Sequence, residues 1–262
     1  MHIDASIFKA YDIRGIVDKT LTTEAAFAIG QALGSLAKSK GVDTMCVGRD
    51  GRLSGPKLAD SLMQGITDQG INVKSIGLTP TPVLYFATVL TNTGSGVAVT
   101  GSHNPPEYNG LKMMMAKETL FGDGIQALRA DIEKGIESSK HKGAIEEIDV
   151  ITPYLEKVTS DVKLTRPMKG AIDCGNGVTG PLATELFKRL GCEVTALFTD
   201  IDGDFPNHHP DPSKPANLKD LIECVQNSDV ELGLAFDGDG DRLGVVTKSG
   251  QIIYPDRQMM LF

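Results

Sequence analysis

Apolar residues form two patterns that alternate along this chain, a helical spacing and short continuous runs. After Thr22 they recur every three or four positions, which predicts a helix that runs to about Lys40 and ends at Gly41. Continuous apolar runs predict strands at 45–48 and 71–76, and a Ser54-Gly55-Pro56 start predicts a helix between them. Strands that alternate with amphipathic helices indicate an α/β fold in which helices layer a parallel or mixed sheet.

One stretch of sequence recurs. Leu53-Ser54-Gly55-Pro56, a helix and a strand beginning at Gly70 are followed later by Val178-Thr179-Gly180-Pro181, a shorter helix and a strand beginning at Gly191. This repeat predicts two tandem domains of related topology. In each copy a further strand, at 96–99 and at 231–236, leads into a polar loop. Because ligands of α/β sheets bind at the carboxyl ends of strands, both loops are candidate sites.

The boundary between the two domains is predicted in the charged stretch 142–151. We therefore expect a first domain at 1–149 and a second at 150–251. Residues 252–262 end in an apolar run from Gln258 that resembles the first turns of a helix, and nothing follows to pack against it. They are expected to begin a third, truncated domain.

The second polar loop places Asp237, Asp239 and Asp241 at alternate positions, followed by Arg242. At about 5 Å and an effective dielectric constant near 20, each pair of carboxylates repels by roughly 3 kcal/mol, which a bound cation would remove. Hard oxygen ligands suit Mg²⁺. An EF-hand is excluded, because the glutamate required at its twelfth position is Lys248 here. The alternative is a solvated acidic turn.

The first polar loop, Thr100-Gly101-Ser102-His103-Asn104-Pro105-Pro106, has the composition of a rigid, exposed loop. Ser102 alone is interpreted as a turn residue, and beside a Mg²⁺ loop as a candidate phosphoserine. The adjacent His103 does not indicate a hydrolase triad, since triad partners meet through the fold.

Two cationic residues and one acidic loop can each be interpreted as functional or as structural. Arg14 suits a phosphate clamp or an ion pair with Asp12, and Lys112 suits proton transfer or simple exposure. Arg49 and Arg52 are expected to brace the Ser102 loop. The segment 200–211 combines acids with two histidines, but its prolines favour a rigid connecting loop over a metal site.

The composition indicates a globular protein and argues against some classes of partner. The 262 residues are 40% hydrophobic and 23% charged, which is typical of a globular protein long enough for two domains. A net charge of -8 argues against nucleic acid or an anionic membrane as the main partner. Four cysteines without a Cys-x-x-Cys pair are expected to be free thiols in a reducing compartment. Because no signal peptide or membrane-spanning run is indicated, the cytoplasm is expected.

Six motifs together resemble the α-D-phosphohexomutase family, closest to its bacterial phosphomannomutase/phosphoglucomutase branch. The first three are Tyr11-Asp12-Ile13-Arg14-Gly15, Gly48-Arg49-Asp50-x-Arg52-x-Ser54 and Thr100-Gly101-Ser102-His103-Asn104-Pro105. The others are Asn109-Gly110-Leu111-Lys112, Phe205-Pro206-Asn207-His208-x-Pro210 and Asp237-Gly238-Asp239-Gly240-Asp241-Arg242.

This resemblance implies an isomerase that moves a phosphoryl group between the 1- and 6-positions of mannose or glucose, through a hexose 1,6-bisphosphate. Ser102 would be the phosphoserine, and one of its phosphate oxygens would join the three aspartates in holding Mg²⁺. Lys112 would act as general acid or base and contact the substrate. Arg14, His103 and Arg242 would support the phosphoserine, and Arg14 and Tyr11 would also bind the sugar phosphate.

Members of this family have four domains, and the resemblance here covers the first two. The chain alone is therefore expected to turn over poorly or not at all, and a monomer is expected for the longer parent. Two alternatives stay open: a phosphoglucosamine mutase with the same chemistry, and a non-catalytic Mg²⁺-binding phosphoprotein module.

Overall fold

The structure, a computed structural model, describes residues 3–261. Its contacts divide the chain into a first unit that ends at Val150 and a second that begins at Ile151. Each unit has its own sheet and its own hydrophobic core.

The first unit is a mixed sheet between layers of helices. Its strands are β1 (Ile13–Ile16), β2 (Thr44–Arg49), β3 (Asn72–Leu78), β4 (Gly96–Val99), β5 (Tyr108–Met115), β6 (Glu118–Thr119) and β7 (Ile145–Glu147). Its helices are α1 (Thr23–Ser39), α2 (Gly55–Asp68), α3 (Thr81–Leu90) and α4 (Asp123–Lys134). The strand order is β1-β5-β4-β2-β3-β7, with β6 beside β5. The pairs β4–β2, β2–β3 and β3–β7 are parallel. Strand β5 is antiparallel to both of its neighbours, β1 and β4.

The elements predicted in the first unit form near their predicted bounds. The Thr22 side chain accepts a hydrogen bond from the Ala25 N–H at 3.2 Å and so caps α1 as expected. The predicted strands at 45–48 and 71–76 are β2, which is one residue longer at each end, and β3, which begins one residue later and ends two residues later. Buried residues of α1, α2 and α4 pack with those of β2, β4 and β5 in one continuous core.

The second unit has a smaller mixed sheet. Its strands are β8 (Lys169–Asp173), β9 (Glu193–Leu197), β10 (Leu232–Phe236), β11 (Leu243–Thr247) and β12 (Ile252–Ile253), in the order β12-β11-β10-β8-β9. Its helices are α5 (Ile151–Asp161), α6 (Gly180–Arg189), α7 (Lys219–Asn227) and α8 (Pro255–Gln258). The helices α6 and α7 face two separate apolar clusters of this unit.

The end of the described chain differs from the predicted helix start at Gln258. Helix α8 begins at Pro255 and ends at Gln258. It begins three residues earlier than predicted because proline suits a first helical turn, where its missing N–H needs no partner. The apolar residues Met259, Met260 and Leu261 lie after it and are exposed. Phe262 lies outside the described residues.

The same topology occurs twice, which confirms the prediction of two tandem domains of related topology. The order β5-β4-β2-β3 in the first unit matches β11-β10-β8-β9 in the second, with the same parallel and antiparallel pairs. Both α2 and α6 begin with Gly-Pro after a Ser or Thr. Consequently β4, which precedes Ser102, and β10, which precedes Asp237, occupy equivalent places.

All four cysteines are free thiols, and Cys46 and Cys174 are buried, as predicted. Burial raises the pKa of the Cys174 thiol, with the neighbouring Asp173 as a second cause, so this side chain stays neutral. Within residues 3–261, no helix combines the length and the apolar character needed to cross a bilayer.

Candidate active site

Ser102 lies three residues beyond the end of β4 in an unusual backbone conformation. Its φ is +50°, in the left-handed region that non-glycine residues rarely adopt. The Ser102 N–H donates to the Thr100 Oγ1 at 2.8 Å, and its hydroxyl oxygen is 3.3 Å from the His103 Nδ1. The residue is only 2% exposed, so the prediction of an exposed loop is wrong at Ser102 and holds only for Pro105 and Pro106.

The loop is buried because its main chain wraps around Arg52. The two terminal nitrogens of this guanidinium donate to the carbonyl oxygens of Ser102, Asn104, Pro105 and Tyr108 at 2.6 to 3.0 Å. Its Nε–H donates to Asp50 at 3.2 Å, so all five N–H groups of a fully buried arginine have acceptors. A Cβ at residue 101 would lie 2.3 Å from the Arg52 Nε, which explains the glycine there.

Asp50 completes this cage from the end of β2. Its carboxylate accepts hydrogen bonds from the Thr100 hydroxyl and the Gly101 N–H at 2.9 and 3.0 Å, and from the Arg52 N–H at 3.0 Å. Burial raises the pKa of Asp50, while Arg52 and these donors act in the opposite direction. Of the two arginines predicted to brace the loop, Arg52 does so, whereas Arg49 makes one 3.4 Å hydrogen bond to the Asp50 carbonyl.

Arg14 and Lys112 lie on one face of the sheet beside this loop. Arg14 on β1 pairs with Gly110 on β5, and Lys112 follows two positions later, so the alternation of strands puts both side chains on the same face. The Thr100 N–H donates to the Gly110 carbonyl at 2.9 Å, which joins the serine loop to that point. Both side chains are half-buried, whereas Tyr11, ahead of β1, is 79% exposed.

The ion pair considered for Arg14 is present: its terminal nitrogen contacts the Asp12 carboxylate. Its Nε is buried and has no hydrogen-bond partner within residues 3–261. The guanidinium therefore keeps at least one N–H without an acceptor in the described part of the chain.

In the second unit, the three aspartates after β10 converge. One carboxylate oxygen from each of Asp237, Asp239 and Asp241 lies within 4.8 Å of the others, and this is the only such cluster of potential metal ligands in the described part of the chain. Asp237 and Asp239 are fully buried, and Asp241 and the following Arg242 are exposed. Three carboxylates at this separation, two of them buried, suit a small divalent cation that prefers hard oxygen ligands, such as Mg²⁺.

The loop holds its own shape through Asp237. The Asp237 Oδ1 accepts the N–H groups of Asp241 and Arg242, both at 3.0 Å, and the Asp237 carbonyl accepts the Gly240 N–H at 3.1 Å. Gly240 has a φ of +76°, and a Cβ there would lie 2.0 Å from the Thr179 Oγ1. Both its conformation and its close packing therefore require glycine.

The sequence did not single out the pair formed by His208 and Asp173. The His208 Nε2 lies 3.0 Å from both carboxylate oxygens of Asp173, which ends β8 and is fully buried. The segment 200–211 thus packs as the predicted connecting loop and brings together no metal-ligand cluster. The sequence did contain a signal for Asp173: in each repeat an acid lies at the end of the first strand, Asp50 in one copy and Asp173 in the other.

Comparisons with known proteins match both units. The family described as phosphoglucomutase/phosphomannomutase, alpha/beta/alpha domain I, matches residues 5–142, and its domain II matches residues 152–250. A phosphoglucomutase of Neisseria meningitidis serogroup B is 58% identical over 261 residues, which cover 99% of this chain and 57% of that protein. A phosphomannomutase/phosphoglucomutase of Pseudomonas aeruginosa is 54% identical over 260 residues, which cover 99% of this chain and 56% of that protein.

The fold is also similar to a crystal structure of a phosphoglucomutase/phosphomannomutase family protein from Burkholderia thailandensis. The TM-score is 0.96 at 54% identity, and the match covers 100% of this chain and 58% of that one. The chain thus spans little more than half the length of the relatives it matches.

Proposed function

The chain belongs to the phosphoglucomutase/phosphomannomutase family, and from that premise we propose that it carries the phosphoserine and the metal site of a hexose phosphate mutase. The reaction moves a phosphoryl group between the 1- and 6-positions of mannose or glucose. A hexose 1,6-bisphosphate is the intermediate, and the hexose phosphate is the partner that the site recognises.

Ser102 is the proposed phosphoryl carrier. In the forward half-reaction, the bond between phosphorus and the Ser102 oxygen breaks while a sugar hydroxyl oxygen bonds to phosphorus, and that hydroxyl loses its proton. The observation that carries this proposal is the cage of Asp50 and Arg52, whose hydrogen bonds to the main chain of the serine loop are 2.6 to 3.0 Å long. A carrier held in one position needs no reorganisation before transfer.

The metal site is proposed at Asp237, Asp239 and Asp241, with a phosphate oxygen on Ser102 as a further ligand. Two of the carboxylates are fully buried and all three offer oxygens within 4.8 Å, which fits Mg²⁺. Such an ion, when bound, offsets the negative charge of the transferring group.

The remaining roles fall to cations and to Tyr11. Lys112 is proposed as the group that takes up and returns the proton of the sugar hydroxyl, and its place beside Arg14 on one sheet face supports this. Arg14 uses its remaining N–H groups on phosphate, together with His103 and Arg242. The exposed ring of Tyr11 is proposed to contact the sugar.

Site-mapped mass spectrometry tests the carrier role. The chain is incubated with glucose 1,6-bisphosphate and Mg²⁺, and we expect one phosphoryl group on Ser102. Ser102→Ala should take up none, and Ser39→Ala, which removes an exposed hydroxyl of the same unit, should react as the wild type does. Phosphate on another residue, or none on the wild type, would contradict the proposal.

Rates of the full-length parent on mannose, glucose and glucosamine phosphates separate the proposed substrate class from a phosphoglucosamine mutase. The 262-residue chain itself is expected to turn over slowly in a coupled mutase assay. If it binds Mg²⁺ but never exchanges a phosphoryl group with any hexose bisphosphate, the non-catalytic module is the better account.

A further inference from the structure

His208 forms two hydrogen bonds that together define its charge. Its Nε2 lies 3.0 Å from the carboxylate of Asp173, and its Nδ1 lies 3.0 Å from the carbonyl oxygen of His209. A carboxylate and a carbonyl accept but do not donate, so the ring makes both bonds only when both nitrogens carry protons. The geometry is that of an imidazolium beside a buried carboxylate.

This pair fixes the turn that follows β8. The Asp173 Oδ1 also accepts the Gly175 N–H at 2.9 Å, and the His208 ring lies so close to Gly175 that a Cβ there would be 3.0 Å from its Cε1. The loop that carries His208 is joined to the same turn a second time, since the Asn207 amide donates to the Asn176 Oδ1 at 2.8 Å.

The same turn supports the aspartate loop. The Val178 N–H donates to the Gly238 carbonyl at 3.2 Å, and a Cβ at Gly177 would lie 3.0 Å from the Gly238 Cα. Thr179 packs against Gly240 so closely that only glycine fits. Residues 174–179 are therefore in direct contact with the two glycines that separate the three aspartates.

The first unit supports its own loop in a similar way. Asp50 and Asp173 each lie at the carboxyl end of the first strand of the repeat, and each accepts an N–H from the residue two positions later, at 3.0 and 2.9 Å. Each also pairs with a cation, Arg52 in one unit and His208 in the other. In both units the loop that follows the neighbouring strand rests on this arrangement.

We propose that His208 is a positioning residue for the metal site: its contact with Asp173 holds the 174–179 turn, which in turn sets the spacing of Asp237, Asp239 and Asp241. The inference rests on the metal site proposed above. His208 touches no ligand of the ion in this account and acts only through the turn. Removing it lets the turn shift, and the three carboxylates then converge less well.

The role has a pH dependence because the contact requires a charged ring. Burial disfavours the charge on His208, but its hydrogen bonds to Asp173 and to the His209 carbonyl outweigh burial, so its pKa lies above the usual value. Asp220 on α7 adds a weaker attraction, and Cys174 stays a neutral thiol. Metal binding should therefore weaken as the pH rises through the His208 pKa.

The test is calorimetric titration of MgCl₂ into the 262-residue chain between pH 5.5 and 9, for four proteins. His208→Ala should weaken Mg²⁺ binding about 10-fold or more, the range seen when outer-shell partners of metal ligands are removed. His208→Gln keeps an N–H near Asp173 without the charge, so we expect partial rescue and a flat pH profile. His209→Gln is the matched control, because within residues 3–261 the His209 side chain makes no hydrogen bond or ion pair, and it should match the wild type.

Each outcome separates the inference from the proposed function. If the wild type and His209→Gln bind no Mg²⁺, both the metal site and this inference are wrong. If they bind and the folded His208 variants bind equally well with the same pH profile, His208 is only structural and this inference alone is wrong. Should His208→Ala fail to fold, the pH profiles of the wild type and His208→Gln still decide the matter.

Discussion

The serine loop and the aspartate loop occupy equivalent places in two repeated sheets, and each rests on an acid–cation pair, but the loops contact these pairs in different ways. The serine loop wraps around Arg52, a fully buried side chain whose five N–H groups meet one carboxylate and four carbonyls. The aspartate loop donates two of its own N–H groups to the Asp237 Oδ1, and its glycines pack closely against the 174–179 turn.

This difference matches the two proposed tasks. A residue that carries a phosphoryl group gains from a loop that is rigid without a ligand, and Arg52 supplies that rigidity. In a metal site, carboxylates repel one another until the ion binds. The bound ion removes this repulsion and so stabilises the folded unit. The first loop should therefore depend on Arg52 for stability, and the second on Mg²⁺.

The largest expected effect is on the serine loop. Arg52→Met leaves the buried Asp50 and four carbonyl groups without their main partner, which should lower the free energy of unfolding of the first unit by about 3–5 kcal/mol. Urea unfolding measures this. Arg49→Met is the control and should cost less than about 1 kcal/mol, since its one hydrogen bond is long. A similar small loss for both variants would refute the cage.

The next effect concerns the aspartate loop. At a Mg²⁺ concentration of 100 times its Kd, the wild type should gain about 2.7 kcal/mol of stability, and Asp239→Asn should gain much less. Thermal unfolding with and without MgCl₂ measures the difference. Asp204→Asn, in the connecting loop, should respond as the wild type does. Equal gains in all three proteins would mean that the aspartates do not bind the ion.

A glycine substitution tests the close packing of the aspartate loop. Gly240→Ala combines a left-handed φ with a Cβ only 2.0 Å from Thr179, so it should destabilise the second unit by about 2–3 kcal/mol and weaken Mg²⁺ binding. Gly191→Ala has a similar φ of +88° but open space around its Cβ, and should cost about 1 kcal/mol without any effect on Mg²⁺. Equal costs for the two would show that the contact with Thr179 is unimportant.

The smallest effect comes from an arginine–carboxylate pair on the surface. Arg166 donates to Glu231 at 2.9 Å and, with a backbone N–H of Lys169, lowers the pKa of Glu231 to about 2. Because the pKa of Glu231 is lower in the folded than in the unfolded chain, its contacts stabilise the fold at pH values above the unfolded-state pKa. This contribution is lost as the pH falls through about 2. By NMR titration, Arg166→Met should raise the Glu231 pKa towards its ordinary value. Its effect on unfolding near neutral pH should be small compared with that of Arg52→Met, because both side chains are exposed.

Much of this arrangement could be predicted from the sequence. Apolar spacing and Gly-Pro helix starts predicted the repeated elements, and local motifs singled out Ser102 and the three aspartates as candidate site residues. The sequence did not predict that Ser102 is buried, because burial depends on Arg52, which lies 50 residues earlier in the chain. The contact between Asp173 and His208 joins residues 35 positions apart, so a local pattern does not reveal it, although the repeat places an acid at Asp173 as it does at Asp50.

We propose that the serine loop and the aspartate loop serve one reaction. The most direct measurement is the rate at which Ser102 of the 262-residue chain is phosphorylated by glucose 1,6-bisphosphate, followed by mass spectrometry in Mg²⁺ and in EDTA, for the wild type and Asp239→Asn. We predict rapid phosphorylation of the wild type in Mg²⁺ only, and little for Asp239→Asn in either. Equal rates under all four conditions would mean that the aspartate loop takes no part in the phosphorylation of Ser102.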